Sequence, residues 1–227
     1  MRSHGIKTAA GGTEMTVLAL PRLDNLKPTL QSTVFKTMEE AGELSRAVLQ
    51  FLAAEKTQAA NSAELLDEVA AELLDVAQTC VTMIFVLEET GLNIDQLLSA
   101  HLGKLKEKGY AFDANGRYQL ATRGNKKYLC LPKLQMPDVD LLTTVCKIQE
   151  ELGELTQCLG KKTAASGEAN RIDSGEALKD AALELLDVAQ CCFTMAYVLH
   201  EQHDVDLPAV VERHIAKLIR RGYCRAE

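Results

Sequence analysis

The sequence has no tryptophan and few aromatic residues of any kind, 4% of its 227 positions. Leucine and alanine fill the apolar positions instead, a balance that leans toward helix packing. There is no basic excess: 25 Lys and Arg stand against 32 Asp and Glu, a formal charge of -7. That balance argues against general nucleic-acid affinity, because phosphates would go unneutralised. Long hydrophobic runs are missing too. The longest uncharged apolar stretches, 76–87 and 188–199, fall well short of the roughly 20 residues that span a bilayer, so no membrane partner is expected. No CxxC stands with a matching His pair, which removes a structural zinc site. The 7 cysteines are odd in number and irregularly spaced, and Cys80, Cys191 and Cys192 sit in apolar helical runs. They read as small core residues in a reducing compartment. The N-terminus lacks a charged-then-apolar signal pattern, and residues 1–20 read as a leader, part of it vector-encoded before Met15. A cytoplasmic setting is expected. Strand-like alternation of any length is also absent, so the expected fold is all-α.

What is present comes twice. "PRLDNLKPTL" from Pro21 lies over "PKLQMPDVDL" from Pro132 at an offset of 111. At the same offset "KTMEEAGELSRAV" from Lys36 lies over "KIQEELGELTQCL" from Lys147. "AAELLDVAQTCVTMIFVL" from Ala70 matches "ALELLDVAQCCFTMAYVL" from Ala182 at 112, and "HLGKLKEKGY" from His101 matches "HIAKLIRRGY" from His214 at 113. The offset drifts only between blocks, so insertions fall in loops while helical spacings hold. The reading is a tandem duplication: units at 21–110 and 132–227, joined by a basic, Gly/Asn-punctuated linker at 111–131. In that linker Arg123, Lys126 and Lys127 could lean over an anionic site.

Each unit reads as three helices. The first runs over about 28–55 and 139–160. The second begins near Asn61 and near Asp173, each followed three residues later by Glu64 or Glu176 in the manner of a capping box. Leu66, Val69, Leu73, Val76, Cys80, Ile84 and Leu87 follow three-four spacing, and Leu65, Leu74, Val81 and Val86 widen the stripe around most of the circumference. A helix apolar on several sides must be surrounded, so the second helix is expected at the centre of a bundle. The units are expected to pack as an intramolecular pseudo-dimer, with a homodimer of chains as a further option.

The carboxylates carry the chemistry. Glu40 and Glu43 share one face of the first helix; Glu72 and Asp75 share one face of the second, with Glu68 a turn earlier. The second unit repeats them as Glu151 and Glu154, then Glu184 and Asp187, with Asp180 where Glu68 stood. Acids turned inward among apolar residues are expensive without a counter-charge. Oxygen-only side chains converging from two helices suit a hard cation, Mg²⁺ or Mn²⁺. A di-iron bundle needs Glu-x-x-His pairs, and here the partner three residues on is always Glu or Asp. His101 and His214 have no acid at ligand spacing before them and read as packing or surface residues.

EExxE followed about 28 residues later by ExxD, on a short helical unit, resembles the MazG-like nucleoside triphosphate pyrophosphohydrolases. Their all-α superfamily also holds dimeric dUTPases and phosphoribosyl-ATP pyrophosphohydrolases. The resemblance implies cleavage of an NTP or dNTP between the α and β phosphates, giving a monophosphate and pyrophosphate. It implies metal ligation by Glu40, Glu43, Glu72 and Asp75, and by Glu151, Glu154, Glu184 and Asp187. Glu39 and Glu150 sit beside the ligands and are the candidates to orient or deprotonate the attacking water. Lys104, Lys108 and Tyr110, with Lys217, Arg221 and Tyr223, resemble the family's Lys-rich C-terminal segment and are candidates for substrate contact; a basic helix C-terminus favoured by the macrodipole is the plainer reading. Lys36 and Lys147, four residues before the metal glutamates, either serve phosphate or pair within the helix. The alternatives are a dUTPase-like or phosphoribosyl-ATP hydrolase-like enzyme, or a nucleotide-binding regulatory bundle without turnover. Family members are usually single units that assemble as dimers, so this chain is expected to build its dimer internally, with a working site in each unit.

Overall fold

The computed structural model describes residues 18–112, 120–123, 126–136, 138–163 and 174–225. Most of the leader, the start of the second helix of the second half at Asp173, and the side chain of Arg123 lie outside them. The described residues form a predominantly helical bundle. Two long antiparallel pairs make it: α1 (Leu30–Lys56) with α2 (Ser62–Glu89), and α4 (Leu141–Thr163) with α5 (Ser174–Gln202). α2 packs on α5 and α1 on α4, so the second helix of each pair is central.

The expectation of a surrounded helix holds for α2. Val69, Val76, Cys80, Val81 and Ile84 are fully buried, and Leu73, Leu74 and Leu87 nearly so. By length and mean hydropathy α2 and α5 could each cross a membrane, since both extend well past their uncharged cores. Yet 72% and 83% of their most apolar windows are buried inside the protein itself.

Helix ends are set by local chemistry. Thr29 and Ser32 form a reciprocal capping box, each side chain accepting from the other's backbone N–H, at 3.1 and 2.9 Å. Asp140 Oδ1 accepts from Thr143 N–H at 2.7 Å, and those hydrogen bonds hold its carboxyl below the usual range. Asp140→Ala is expected to cost about 1 kcal/mol in urea unfolding; an unchanged midpoint would mean this cap adds nothing. The box expected at Asn61 does not form. Asn61 has φ -94° and ψ 11° rather than extended backbone, its side chain makes no cap bond, and the chain enters α2 from a preceding turn in which Ser62 Oγ donates to the Ala59 carbonyl.

Two shorter helices follow the pairs, α3 (Ile94–Glu107) and α6 (Leu207–Arg220). Each half has its three expected helices, and the third lies across the bundle. α3 packs chiefly on α5, and α6 chiefly on α2, so each crosses to the other pair. Both stop at a glycine in the left-handed region, Gly109 at φ 84° and Gly222 at φ 72°. There the N–H groups of Tyr110 and Tyr223 return to the carbonyls of Leu105 and Leu218, both at 3.0 Å.

The segment read as a linker also differs from expectation. It contains β2 (Leu120–Arg123) and β3 (Lys126–Cys130), and β3 pairs antiparallel with both β2 and β1 (Ala19–Pro21) in the order β1-β3-β2. Lys127 ends in an ion pair with Glu88 at 2.7 Å, so it braces the end of α2 rather than an anionic ligand. The carbonyls of Pro21 and Pro132 accept from the amides of Gln78 and Gln190, at 2.9 and 2.8 Å.

Candidate functional site

Among the described residues, two clusters of acids form at matched places in the bundle. Glu40, Glu43 and Glu72 each bring one carboxylate oxygen within 4.8 Å of the others, and Glu151, Glu184 and Asp187 do the same. The i, i+3 pairs put the acids on one helical face, and packing of α1 on α2, and of α4 on α5, brings the faces together. Six of the eight expected ligands therefore converge. Asp75 stands beside the first trio, ion-paired with Lys217, and its charge raises Glu40 and Glu72. Glu154 is exposed beside the second trio, and its charge adds to the rise at Glu184.

The clusters are electrostatically costly. Burial pushes the Glu184 carboxyl up to about 7, with the Asp187 charge adding to it and Lys104 opposing. Burial also raises Glu72, helped by Glu43 and Asp75, and it raises Glu40 against the hydrogen bond from Lys36. Asp187 goes the other way: burial would lift it, but hydrogen bonds to His101 and Lys104 hold it below the ordinary carboxylate range. Oε2 of Glu151 and of Glu184 are buried with no hydrogen-bond partner among the described residues, although Glu151 is only 4% exposed. Buried oxygens without a donor carry a desolvation cost that a cation would offset, so this oxygen-only set fits a hard divalent ion.

The Glu184 carboxyl binds its proton more tightly in the folded chain than at its ordinary value of 4.5. Without added metal, stability should therefore fall as pH rises from about 5 to about 7.5. Melting temperatures in EDTA should show that fall, and Glu184→Gln should flatten it. Added Mn²⁺ should reverse it, because a cation displaces the proton and binds the charged form. A melting temperature that rises across that interval in EDTA would contradict the burial of this charge.

The remaining expected residues separate into two groups. Lys36 pairs with Glu39 at 3.2 Å and Glu40 at 2.6 Å, and Lys147 pairs with Glu150 at 3.0 Å and Glu151 at 2.6 Å. Both bases thus make intrahelical pairs while also lining cavities beside the acids. One cavity, of about 390 Å³, is lined by Lys147, Glu150, Glu151, Asp187, Lys108 and Tyr110, among others. The other, of about 420 Å³, is lined by Lys36, Glu40, Asp75, Arg221, Tyr223 and their neighbours. Glu150 faces its cavity, whereas Glu39 is not among the residues lining the other. Lys104 and Lys217 line neither; their ammonium groups bond Oδ2 of Asp187 and of Asp75, each on the helix of the opposite half.

The sequence reading missed the histidines beside them. His101 is 1% exposed and its Nδ1 lies 3.0 Å from Asp187 Oδ1; His214 is 5% exposed and its Nδ1 lies 3.5 Å from Asp75 Oδ1. Burial lowers His214 to about 4 against the pull of Asp75. The available signal was the H-x-x-K spacing shared by His101 with Lys104 and His214 with Lys217, one helical turn apart in both helices. His200 and His203 serve structure instead: His200 Nδ1 meets the Val205 carbonyl at 2.8 Å, and the His203 ring packs edge-on to Phe51.

No protein-family model, no curated protein and no solved structure matches this chain.

Proposed function

We propose that the chain is a Mg²⁺- or Mn²⁺-dependent nucleoside triphosphate pyrophosphohydrolase that releases a nucleoside monophosphate and pyrophosphate. The observation that carries this reading is the coincidence, in each half, of a carboxylate trio with an adjoining cavity lined by a basic residue and a tyrosine. Cavities of this size fall in the range that holds small ligands. Glu40, Glu43 and Glu72 would hold the cation in one half, joined by Asp75, whose charge already acts on Glu40 and Glu72, and Glu151, Glu184 and Asp187 would hold it in the other. A divalent cation bound there supplies charge neutralisation for phosphate oxygens and acidifies water.

The chain's own groups do the rest. Lys108 and Arg221, on the cavity walls, meet the negative charge of the triphosphate, and Lys36 and Lys147 exchange part of their intrahelical pairing for it. Glu150 faces its cavity and takes the proton of the attacking water as the α–β anhydride bond breaks and pyrophosphate leaves. Glu39 has that role in the other half only if its side chain turns inward from its exposed position.

A pyrophosphate-release assay over the eight common NTPs and dNTPs, with Mg²⁺, Mn²⁺ or EDTA, tests the reading. Release that needs metal and stops in EDTA supports it, and the ranking of nucleotides narrows the substrate. No release from any nucleotide, by folded protein with metal bound, would overturn it.

A further inference from the structure

We propose that His101 and His214 are positioning residues that hold Asp187 and Asp75 for cation binding, so that each half of the chain completes the carboxylate site of the other; this rests on the metal-site reading above. Neither histidine occupies a place that packing alone explains. A polar ring buried to this extent costs free energy unless its nitrogens are used. Each ring faces a carboxylate on a helix of the opposite half, from α3 toward α5 and from α6 toward α2. One turn along the same helix, a lysine takes the other oxygen of that carboxylate. The two contacts fix how each aspartate is rotated, and lone pairs remain on both oxygens for a cation. Groups that orient a ligating carboxylate in this way commonly set metal affinity.

The rings are fixed to different degrees. Gln190 spends its amide N–H on the Pro132 carbonyl at 2.8 Å, which turns its Oε1 toward His101 Nε2 at 3.4 Å. His101 therefore stands between two residues of the second half, its Nδ1 buried 3.0 Å from Asp187 Oδ1 but, among the described residues, without a hydrogen bond of good geometry. At the matched place in the first half, His214 Nε2 and Gln78 Oε1 are both buried without a hydrogen-bond partner among the described residues, and the ring stands further from its aspartate. The dependence on histidine should be stronger at the Asp187 site than at the Asp75 site.

The test is equilibrium Mn²⁺ titration of the full chain, followed by electron paramagnetic resonance, with one site disabled at a time. Glu72→Gln leaves the second site to be read, and Glu184→Gln leaves the first. In the Glu72→Gln chain, His101→Leu should weaken Mn²⁺ binding by about tenfold or more. In the Glu184→Gln chain, the same change should leave binding within about twofold, although His101 belongs to the first half of the sequence. His214→Leu should show the reverse pattern. His101→Asn, whose amide nitrogen can stand where Nδ1 stands, should recover most of the loss, and His101→Gln, which reaches toward the Nε2 position, should not. The Asn and Gln pair carries the test if the leucine variant does not fold. Weakening of the wrong site, equal weakening of both sites, no weakening at all, or equal behaviour of Asn and Gln would each overturn the proposal. Wild-type protein that takes up no Mn²⁺ would overturn the metal reading and this proposal together; uptake with the wrong cross-half pattern overturns this proposal alone.

Discussion

The double variant Glu72→Ala/Glu184→Ala is expected to lose pyrophosphate release by at least about a hundredfold, because metal catalysis is worth several kcal/mol of barrier. Each single variant should keep about half of the wild-type rate, since the trios belong to separate cavities and should act independently. The physical case rests on the two glutamates' places. Glu72 brings its oxygen against Glu40 and Glu43, and Glu184 against Glu151 and Asp187, so each is a member of its trio rather than a neighbour of it. Both are raised by burial, which marks them as the acids whose ionised form is least comfortable without a cation. Removing one should relieve that repulsion while destroying the site, so the folded state should survive as activity disappears. Steady-state kinetics beside circular dichroism would check both parts. A single variant that loses all activity would show that one site does the work or that the two act as a unit. A double variant with wild-type activity would place the chemistry elsewhere.

The second large effect is on stability. Phe193 is fully buried in α5, the helix that packs against both α4 and α2. Truncation there removes a ring from the main core cluster, and the long helices around it cannot easily close the gap. Phe193→Ala should cost about 3–5 kcal/mol, a fall in melting temperature on the order of 10 °C for a chain of this size. Chemical denaturation would measure it. A cost below about 1 kcal/mol would mean that this core is loosely packed, contrary to the burial seen.

How much of this could be read from the sequence depended on distance along the chain. The apolar circumference of α2 was legible because it follows from a period of 3.6 residues and from composition alone. The same held for the acids: i, i+3 spacing fixes a common face whatever the tertiary fold. The crossing of α3 and α6 was not legible. A turn as short as the one around Asn93 lets the third helix follow its own pair or reach across to the other, and only packing against α5 decides. His101 was missed for that reason, because its carboxylate partner lies on another helix of the other half, where no local spacing could point. β1, β2 and β3 are too short for alternation to register, and their pairing depends on contacts between Ala19 and Cys130 that no local pattern specifies. The capping box at Asn61 had the right residues but the wrong backbone angle, because the turn before α2 is held by Ser62 instead.

The most direct test of the account is a Mn²⁺ titration of the wild-type chain beside Glu72→Gln/Glu184→Gln, read by electron paramagnetic resonance with no nucleotide present. Uptake is expected at both trios in the wild type and should be lost in the double variant, with the fold intact by circular dichroism. Equal uptake by the two proteins, or none by the wild type, would contradict it.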